Sequence, residues 1–532
     1  MTSIKKRFQT AASIAGVFAF ALAVSTAAFA DVPTDIVPRS SGVYDALAVL
    51  AEGHLLPPGD DAETFLGDTA RLRSRAEVSS MIDAVRDNDD ESGMTANQTA
   101  ALEFLSAYLS DPTVADHTPH WRNEAGYGAD VMGEVGGQKN NGDKSQAFGD
   151  GFGNLRVYGT SGSAYFTAGV SNFYQQRTDY LSFNTRNGGF TPDDEIDQRN
   201  GLQEAYVAWQ GSRGLKVDIG VKSRNWGPGY TGDMMLSDNA PAMPGMELDV
   251  PLWLGHSLKL FRFTQIQEAY DNVGQYIYAG VRRLEHPLNP RLDIDAQESY
   301  TSDHLVSPAI IFLPYYLYQH DYIHGETQEP LEFNYQAQAG LTYKTAGDPN
   351  NGDVYLQFFI DDIQSPQGIG LGNHVPRKIG YMLGVNQTYA PTGTSVVAEY
   401  LRTDPETYTK TDIREAPLSL FVDDLPIGSP IGPNGQELYG RLGQKLSNRL
   451  DLAVAGAVRR RVNDSFPAPD DTLVSASLAY HVTSSQSVAV RYAEFHEDPY
   501  TGTFTIPSAS GGADYGVTER QKVAAVDYLI AF

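Results

Sequence analysis

Three groups of residues in this 532-residue chain have types and spacings suited to chemistry. The first is Arg224-Asn225-Trp226-Gly227-Pro228-Gly229, continuing through Asp233 to Gly245. An arginine fork can hold a sugar by paired hydrogen bonds and an indole can stack on its ring, so Arg224, Trp226 and Asn239 are candidates for glycan contact. The same stretch is too rich in Gly and Pro for a strand, and it reads equally as a loop that folds inward on its arginine and plugs a lumen. A buried Arg224 needs a carboxylate, for which Asp361, Asp362 and Glu399 are the candidates. The second group is His320 and His324 with Asp321 between them, a spacing that binds metal only on a helix. Here Tyr315, Tyr316, Tyr318 and Tyr322 flank it, which suits a loop or an aromatic girdle instead. The third comprises the acidic runs 87–91 and 193–195, which lack the spaced ligands and glycine of a calcium loop and read as solvated surface.

No pair of carboxylates is singled out by spacing, and neither a Gly-x-Ser-x-Gly elbow nor a phosphate-binding glycine loop is present. There is no cysteine, which removes disulfides, cysteine–zinc sites and thiol catalysis together. No catalytic residue, metal or cofactor is therefore expected. The formal charge of −27 argues against a nucleic-acid partner, since phosphate contacts need a basic face. It would also repel an acidic polymer at long range, so local basic clusters such as Arg282-Arg283 and Arg459-Arg460-Arg461 matter more than the total.

The elements that position these residues begin with an export signal. Lys5, Lys6 and Arg7 precede an apolar run from Ala11 to Val24, and Ala28-Phe29-Ala30 supplies the small residues of a cleavage site, so residues 1–30 are expected to be removed, leaving a charge of −30. A membrane anchor is the weaker reading because the run is short for a span. Residues 31–117 form a helical region, expected on the periplasmic side. Val43, Ala46, Leu47 and Leu50 fall at helical spacing. A capping box at Ser74 to Glu77 leads into Val78, Met81, Ile82 and Val85, and Thr95 with Gln98 opens a third helix carrying Leu102, Leu105 and Leu109.

From 118 to 532 the period changes from 3.6 to 2. Leu331 to Tyr343 alternates apolar and polar without a break, as do Val354 to Ile360, Ile379 to Val385 and Val474 to Val482. Strands of this length match the ~9 to 11 residues that cross a bilayer at a tilt. At the C-terminus Ala524, Val526, Tyr528, Ile530 and Phe532 alternate to the last residue. An apolar edge there would be an aggregation hazard unless the sheet closes on itself. The expectation is a mainly β chain: a transmembrane antiparallel barrel of about 18 strands with a small N-terminal helical bundle. The low mean hydropathy of −0.33 fits, because only alternate strand residues face lipid.

The segment Arg224 to Pro228, followed by Leu236-Ser237-Asp238-Asn239-Ala240-Pro241, resembles the capsule assembly Wzi family of outer-membrane proteins. Phe359-Ile360-Asp361-Asp362, Glu399-Tyr400-Leu401-Arg402, Val43-Tyr44 with Leu47 and Leu50, and Ser74 to Val78 are similar at further points. The motif Tyr318 to His324 matches only loosely. The resemblance implies an outer-membrane barrel with a periplasmic bundle, acting without catalysis in attachment of capsular or extracellular polysaccharide. Its terminal strand, ending on Phe532, would be read by the barrel insertion machinery. The partners expected are that polysaccharide, outer-membrane lipid and the insertion machinery, with the chain a monomer. A diffusion channel is the main alternative, and an outer-membrane glycan hydrolase a further one.

Overall fold

The computed structural model describes the helices and strands whose bounds follow, the connecting segments 224–237, 427–429 and 431–434, and positions 43, 46, 47, 50, 94, 215, 242, 252, 345, 378, 392, 404, 407, 408 and 449. Helices α1 (Arg75–Asp87) and α2 (Ala96–Ser110) bury the positions their 3.6-residue period predicts: Val78, Met81, Ile82 and Val85 on one, Ala101, Leu102, Leu105 and Tyr108 on the other. Val43, Ala46, Leu47 and Leu50 are helical and complete the same core, and Arg86 Nη2 donates to Ser106 Oγ at 2.8 Å between the helices. The proposed caps Ser74 and Thr95, the signal with Ala28 and Ala30, and the His320–His324 motif lie outside the described residues.

The rest is one closed antiparallel ring. Its strands are β1 (Trp121–Asn140), β2 (Gln146–Gly162), β3 (Ala164–Gln175), β4 (Arg199–Gln210), β5 (Lys216–Lys222), β6 (Met243–Pro251), β7 (Ser257–Glu268), β8 (Gly274–Asn289), β9 (Leu292–Ser302), β10 (Phe333–Lys344), β11 (Asn350–Asp361), β12 (Ile379–Tyr389) and β13 (Thr394–Thr403). A two-stranded hairpin, β14 (Phe421–Val422) and β15 (Leu425–Pro426), stands apart. The ring continues with β16 (Gly435–Ser447), β17 (Leu450–Arg461), β18 (Asp470–Thr483), β19 (Gln486–Glu497) and β20 (Glu519–Ala531). Each strand pairs with the next, and β20 closes against β1 with Val526 opposite Val135, so the 18-stranded sheet has no free edge.

Alternation assigns the two faces. Outward positions carry exposed apolar side chains, among them Val131, Val135, Leu341, Leu356, Phe358, Val474, Leu478, Val490, Val526 and Tyr528. Inward neighbours are polar or small and mostly buried, as at Gln336, Gln338, Gln357 and Asp295. The apolar run on β18 from Val474 to Val482 spans about 21 Å along the barrel axis at a usual strand rise and tilt, close to the ~25 Å apolar band of membrane barrels. In the terminal strand Ala524, Val526 and Tyr528 are exposed outward; the side chain of Ile530 and all of Phe532 fall outside the description.

The connections are asymmetric. At the end where β1 begins, all strand-to-strand connections, such as 211–215, 290–291 and 448–449, are five residues or fewer. All six long connections, 176–198, 223–242, 303–332, 362–378, 404–434 and 498–518, lie at the opposite end. The helical core touches the short-turn end: Tyr206 and Ala208, inward on β4 just before the turn at 211–215, belong to the same apolar cluster as α1 and α2.

Candidate functional site

The β5–β6 connection does not stay outside. Residues 224–237 contact inward-facing side chains from β5 across to β16, which places the segment in the lumen at the long-loop end. Gly-rich sequence permits the tight path. A Cβ on Gly227 would overlap the Asp233 carboxylate, one on Gly229 would overlap the Gly232 carbonyl, and Gly232 has φ +140°.

Arg224 is 1% exposed and wholly engaged. Its Nε donates to Glu247 Oε2 at 2.9 Å and Nη2 to Asp218 Oδ1 at 2.8 Å, while Nη1 reaches the carbonyls of Lys222 and Met243 at 2.9 and 3.2 Å. The guanidinium also lies 3.9 Å from the Phe261 ring centroid. The carboxylates that serve it thus come from β5 and β6, the strands flanking the loop, and not from Asp361 or Glu399 across the barrel. The correction has a simple cause: a loop's first residue is nearest the strands that launch it. Asp362 and Asn239 lie outside the described residues.

Trp226 is fully buried, edge-on to Phe261 at 6.4 Å between centroids. Its backbone N–H donates to Leu236 O at 2.9 Å, closing the loop on itself, and its carbonyl accepts from Arg283 Nη1 at 2.6 Å and Gln297 Nε2 at 2.9 Å. Arg224 and Trp226 are both buried, and each is bonded to residues of the surrounding wall strands.

Glu399 has a different task from the one expected. Its two oxygens accept the backbone N–H groups of Tyr230 at 2.5 Å and Thr231 at 2.8 Å, and the Tyr355 hydroxyl donates to the same carboxylate. A wall carboxylate therefore grips the loop tip through charge-assisted bonds. Tyr230 stacks on Tyr439 at 5.8 Å between centroids, and the Arg441 guanidinium also lies 5.8 Å from the Tyr230 ring centroid. Asp233 is the loop's own anchor: Oδ1 accepts the Met235 N–H at 2.8 Å and Gln338 Nε2 at 3.4 Å, and Oδ2 accepts from Gln357. Burial, with the nearby Asp295 charge, pushes Asp233 up to about 6 against the opposing pull of the Met235 N–H and Arg283.

A second connection seals the first. Tyr408, at φ 69°, donates its hydroxyl to Met234 O at 2.6 Å and accepts the Ser429 N–H at 3.2 Å, while Ser237 N–H donates to Ile427 O at 2.7 Å. Burial raises the Tyr408 phenol well above its usual range. Trp226, Met234, Met235 and Leu236 form one apolar cluster with Phe261, Phe359, Met382, Leu401, Tyr408, Ile427 and Ile431.

Sequence reasoning left out Asp218, Glu247, Gln297, Tyr355, Gln357 and Tyr408, and it noted Arg283 only as part of a basic pair. The signal for the strand residues was parity: each sits on the polar register of its strand, opposite outward apolar positions. Arg283, for example, faces in, while Arg282 faces out and pairs with Glu298. The inner wall of β18 to β20 differs from the plugged side. It carries Ser475, Ser477 and Ala489, none fully buried, and a partly exposed pair, Arg491 Nε to Asp527 Oδ2 at 3.5 Å.

No family model matches the sequence, and no curated protein matches it. Among solved structures, Wzi, an outer-membrane protein involved in group 1 capsule assembly in Escherichia coli and described as a carbohydrate-binding β-barrel, is 13% identical, with 94% of this chain and 99% of that chain covered and a TM-score of 0.48. OccAB2 of Acinetobacter baumannii is 12% identical, with 76% and 98% covered and a TM-score of 0.45. OccK8 (OprE) of Pseudomonas aeruginosa is also 12% identical, with 77% and 98% covered and a TM-score of 0.45. At this distance none of their properties transfers to this chain.

Proposed function

We propose that the protein is an outer-membrane barrel with a closed lumen, serving without catalysis in the assembly or surface attachment of capsular or extracellular polysaccharide. The observation that carries closure is the apolar cluster built by 224–237 and the 404–434 connection inside the ring. The exposed apolar belt supports residence in a bilayer, and the short turns on the helical side support a periplasmic bundle, with the long connections facing out. The polysaccharide reading rests on the family resemblance of the segment beginning at Arg224. Since Arg224 and Trp226 are sequestered, their part is to hold the plug.

The test is deletion of the chain in its host. Polysaccharide released into the medium with synthesis intact is the expected result; unchanged cell-bound polysaccharide overturns the proposal. A diffusion channel is the second reading, favoured by the partly exposed β18–β20 wall around Arg491 and Asp527. Steady conductance of the intact protein in planar bilayers would establish it, whereas silence supports the closed barrel.

A further inference from the structure

The stretch Glu399-Tyr400-Leu401-Arg402 on β13 is divided by the barrel wall. Glu399 and Leu401 face the plug, one gripping its tip and the other lying in its apolar cluster. Tyr400 and Arg402 face out, both partly exposed, and take no part in closure.

The register fixes their depth. On β12, Tyr381 and Tyr389 both face out, and the eight steps of strand between them span about 21 Å along the barrel axis at a usual rise and tilt. That separation suits two aromatic residues at opposite borders of an apolar band, Tyr381 on the long-loop side and Tyr389 at the short turn into β13. Arg402 is the direct cross-strand partner of Tyr381 and therefore lies at headgroup level. Beneath it runs the row Leu356, Leu383, Tyr400, Leu438 and Val458, and beneath that Val354, Val385, Ala398, Gly440 and Gly456. A Cβ on Gly440 would meet nothing within 4 Å, which leaves this surface open to close approach from outside.

The neighbours of Arg402 are neutral. Across the strands it stands beside Tyr381 and Gln436. Its guanidinium and the Tyr381 hydroxyl both lie against the Tyr400 hydroxyl, which donates to Gln436 Oε1 at 3.4 Å. The Tyr381 and Tyr400 rings pack at 5.9 Å between centroids. Nearby carboxylates are committed elsewhere: Asp404 accepts the Ile379 N–H at 3.4 Å, and Glu437 faces inward to Arg459 at 2.8 Å. Among the described residues no carboxylate pairs with Arg402. A planar fork of five N–H donors, set among phenols at the border of an apolar band, is complementary to a phosphate group.

We propose that Arg402, with the Tyr381 hydroxyl, binds the phosphate of a lipid headgroup in the leaflet on the long-loop side, the acyl chains running down the Leu383, Leu438 and Gly440 surface. The inference rests on the membrane-barrel reading. It gives β13 two tasks on opposite faces, with Glu399 holding the plug inside and Arg402 holding lipid outside.

The test uses the full chain reconstituted in phosphatidylcholine vesicles with or without phosphatidylglycerol, then examined by native mass spectrometry for retained lipid. Wild type should retain phosphatidylglycerol in preference to phosphatidylcholine. Arg402→Gln should bind it roughly fivefold more weakly. Lys522→Gln, which removes an outward cation already paired with Glu494 at 3.2 Å, should bind as wild type does. Heat-dependent gel migration reports the folding of each variant. Arg402→Lys keeps the charge without the fork; it should fall between wild type and Arg402→Gln, and it carries the test where Arg402→Gln does not fold. Wild-type retention by the Arg402 variants overturns the site while leaving the barrel reading intact. So does an equal loss in Lys522→Gln, which would assign the effect to overall charge, or displacement of the lipid by millimolar inorganic phosphate, which would assign the site to a soluble anion. Failure of wild type to insert into either vesicle overturns the barrel reading and the site with it.

Discussion

Replacing Arg224 by methionine keeps the length of the stem and removes the guanidinium. In the wild type that group satisfies two carboxylates and two carbonyls in a site 1% exposed to solvent. Asp218 would keep Lys216, at 3.8 Å, but Glu247 would lose its 2.9 Å ion pair while remaining buried. Breaking a buried pair by deleting one partner costs about 3–5 kcal/mol, most of it the uncompensated charge. The excess charge can be removed separately. In the Arg224→Met background, Glu247→Gln should recover about 1–3 kcal/mol, so the two changes couple strongly although each alone destabilises. Urea unfolding of the reconstituted barrel, followed by tryptophan fluorescence, measures all three variants, and retention of cell-surface polysaccharide is scored in parallel. Retention should fall only as folding falls. A stability loss below about 1 kcal/mol for Arg224→Met, or a retention defect in a variant of wild-type stability, would refute the assignment of Arg224 to holding the plug and return it to ligand contact.

Asp233 makes closure depend on pH. Its carboxyl is raised from 3.8 to about 6 in the folded protein, so the folded state binds more protons between those values; the stability it contributes is full below pH ~4 and lost as pH rises through about 6. The loss amounts to about 3 kcal/mol at most. Urea midpoints at pH 4.5 and 7.5 measure it, and Asp233→Asn should flatten the difference. Glu399→Ala removes the acceptor for two backbone N–H groups and a phenol, and should let intermittent conductance appear in planar bilayers where wild type is silent. Tyr408→Phe deletes the bonds to Met234 and Ser429 and should cost about 1–3 kcal/mol in urea unfolding. Val490→Lys places a charge on the outward belt and should cost about 2–4 kcal/mol if that position lies near the bilayer midplane, read by unfolding in vesicles.

The architecture was legible because a half-buried strand writes its two faces into the sequence with period 2. Val474 to Val482 on β18 and Ala339 with Leu341 on β10 face outward as their alternation required, and the alternating run at the C-terminus implied a strand that needs a partner for closure, which β20 finds in β1. The helices were legible for the equivalent reason at period 3.6. Composition also indicated that 224–245 could not be a strand, which holds for 224–237 but not for Met243 to Gly245, where β6 already begins, and that its arginine needed a carboxylate. Which carboxylate was beyond it. Asp218, Glu247, Asp361 and Glu399 are indistinguishable as letters, since each lies on a polar register facing the lumen. Only the path of the loop, reversing at Gly227 to Gly232 and tied back by the Trp226 to Leu236 hydrogen bond, brings Arg224 to β5 and β6 and the Tyr230 amide to Glu399 on β13. Local periodicity determined which side of the wall each residue occupies; partner choice across the lumen depends on contacts between residues 105 to 174 positions apart, and three-dimensional closure alone decided it.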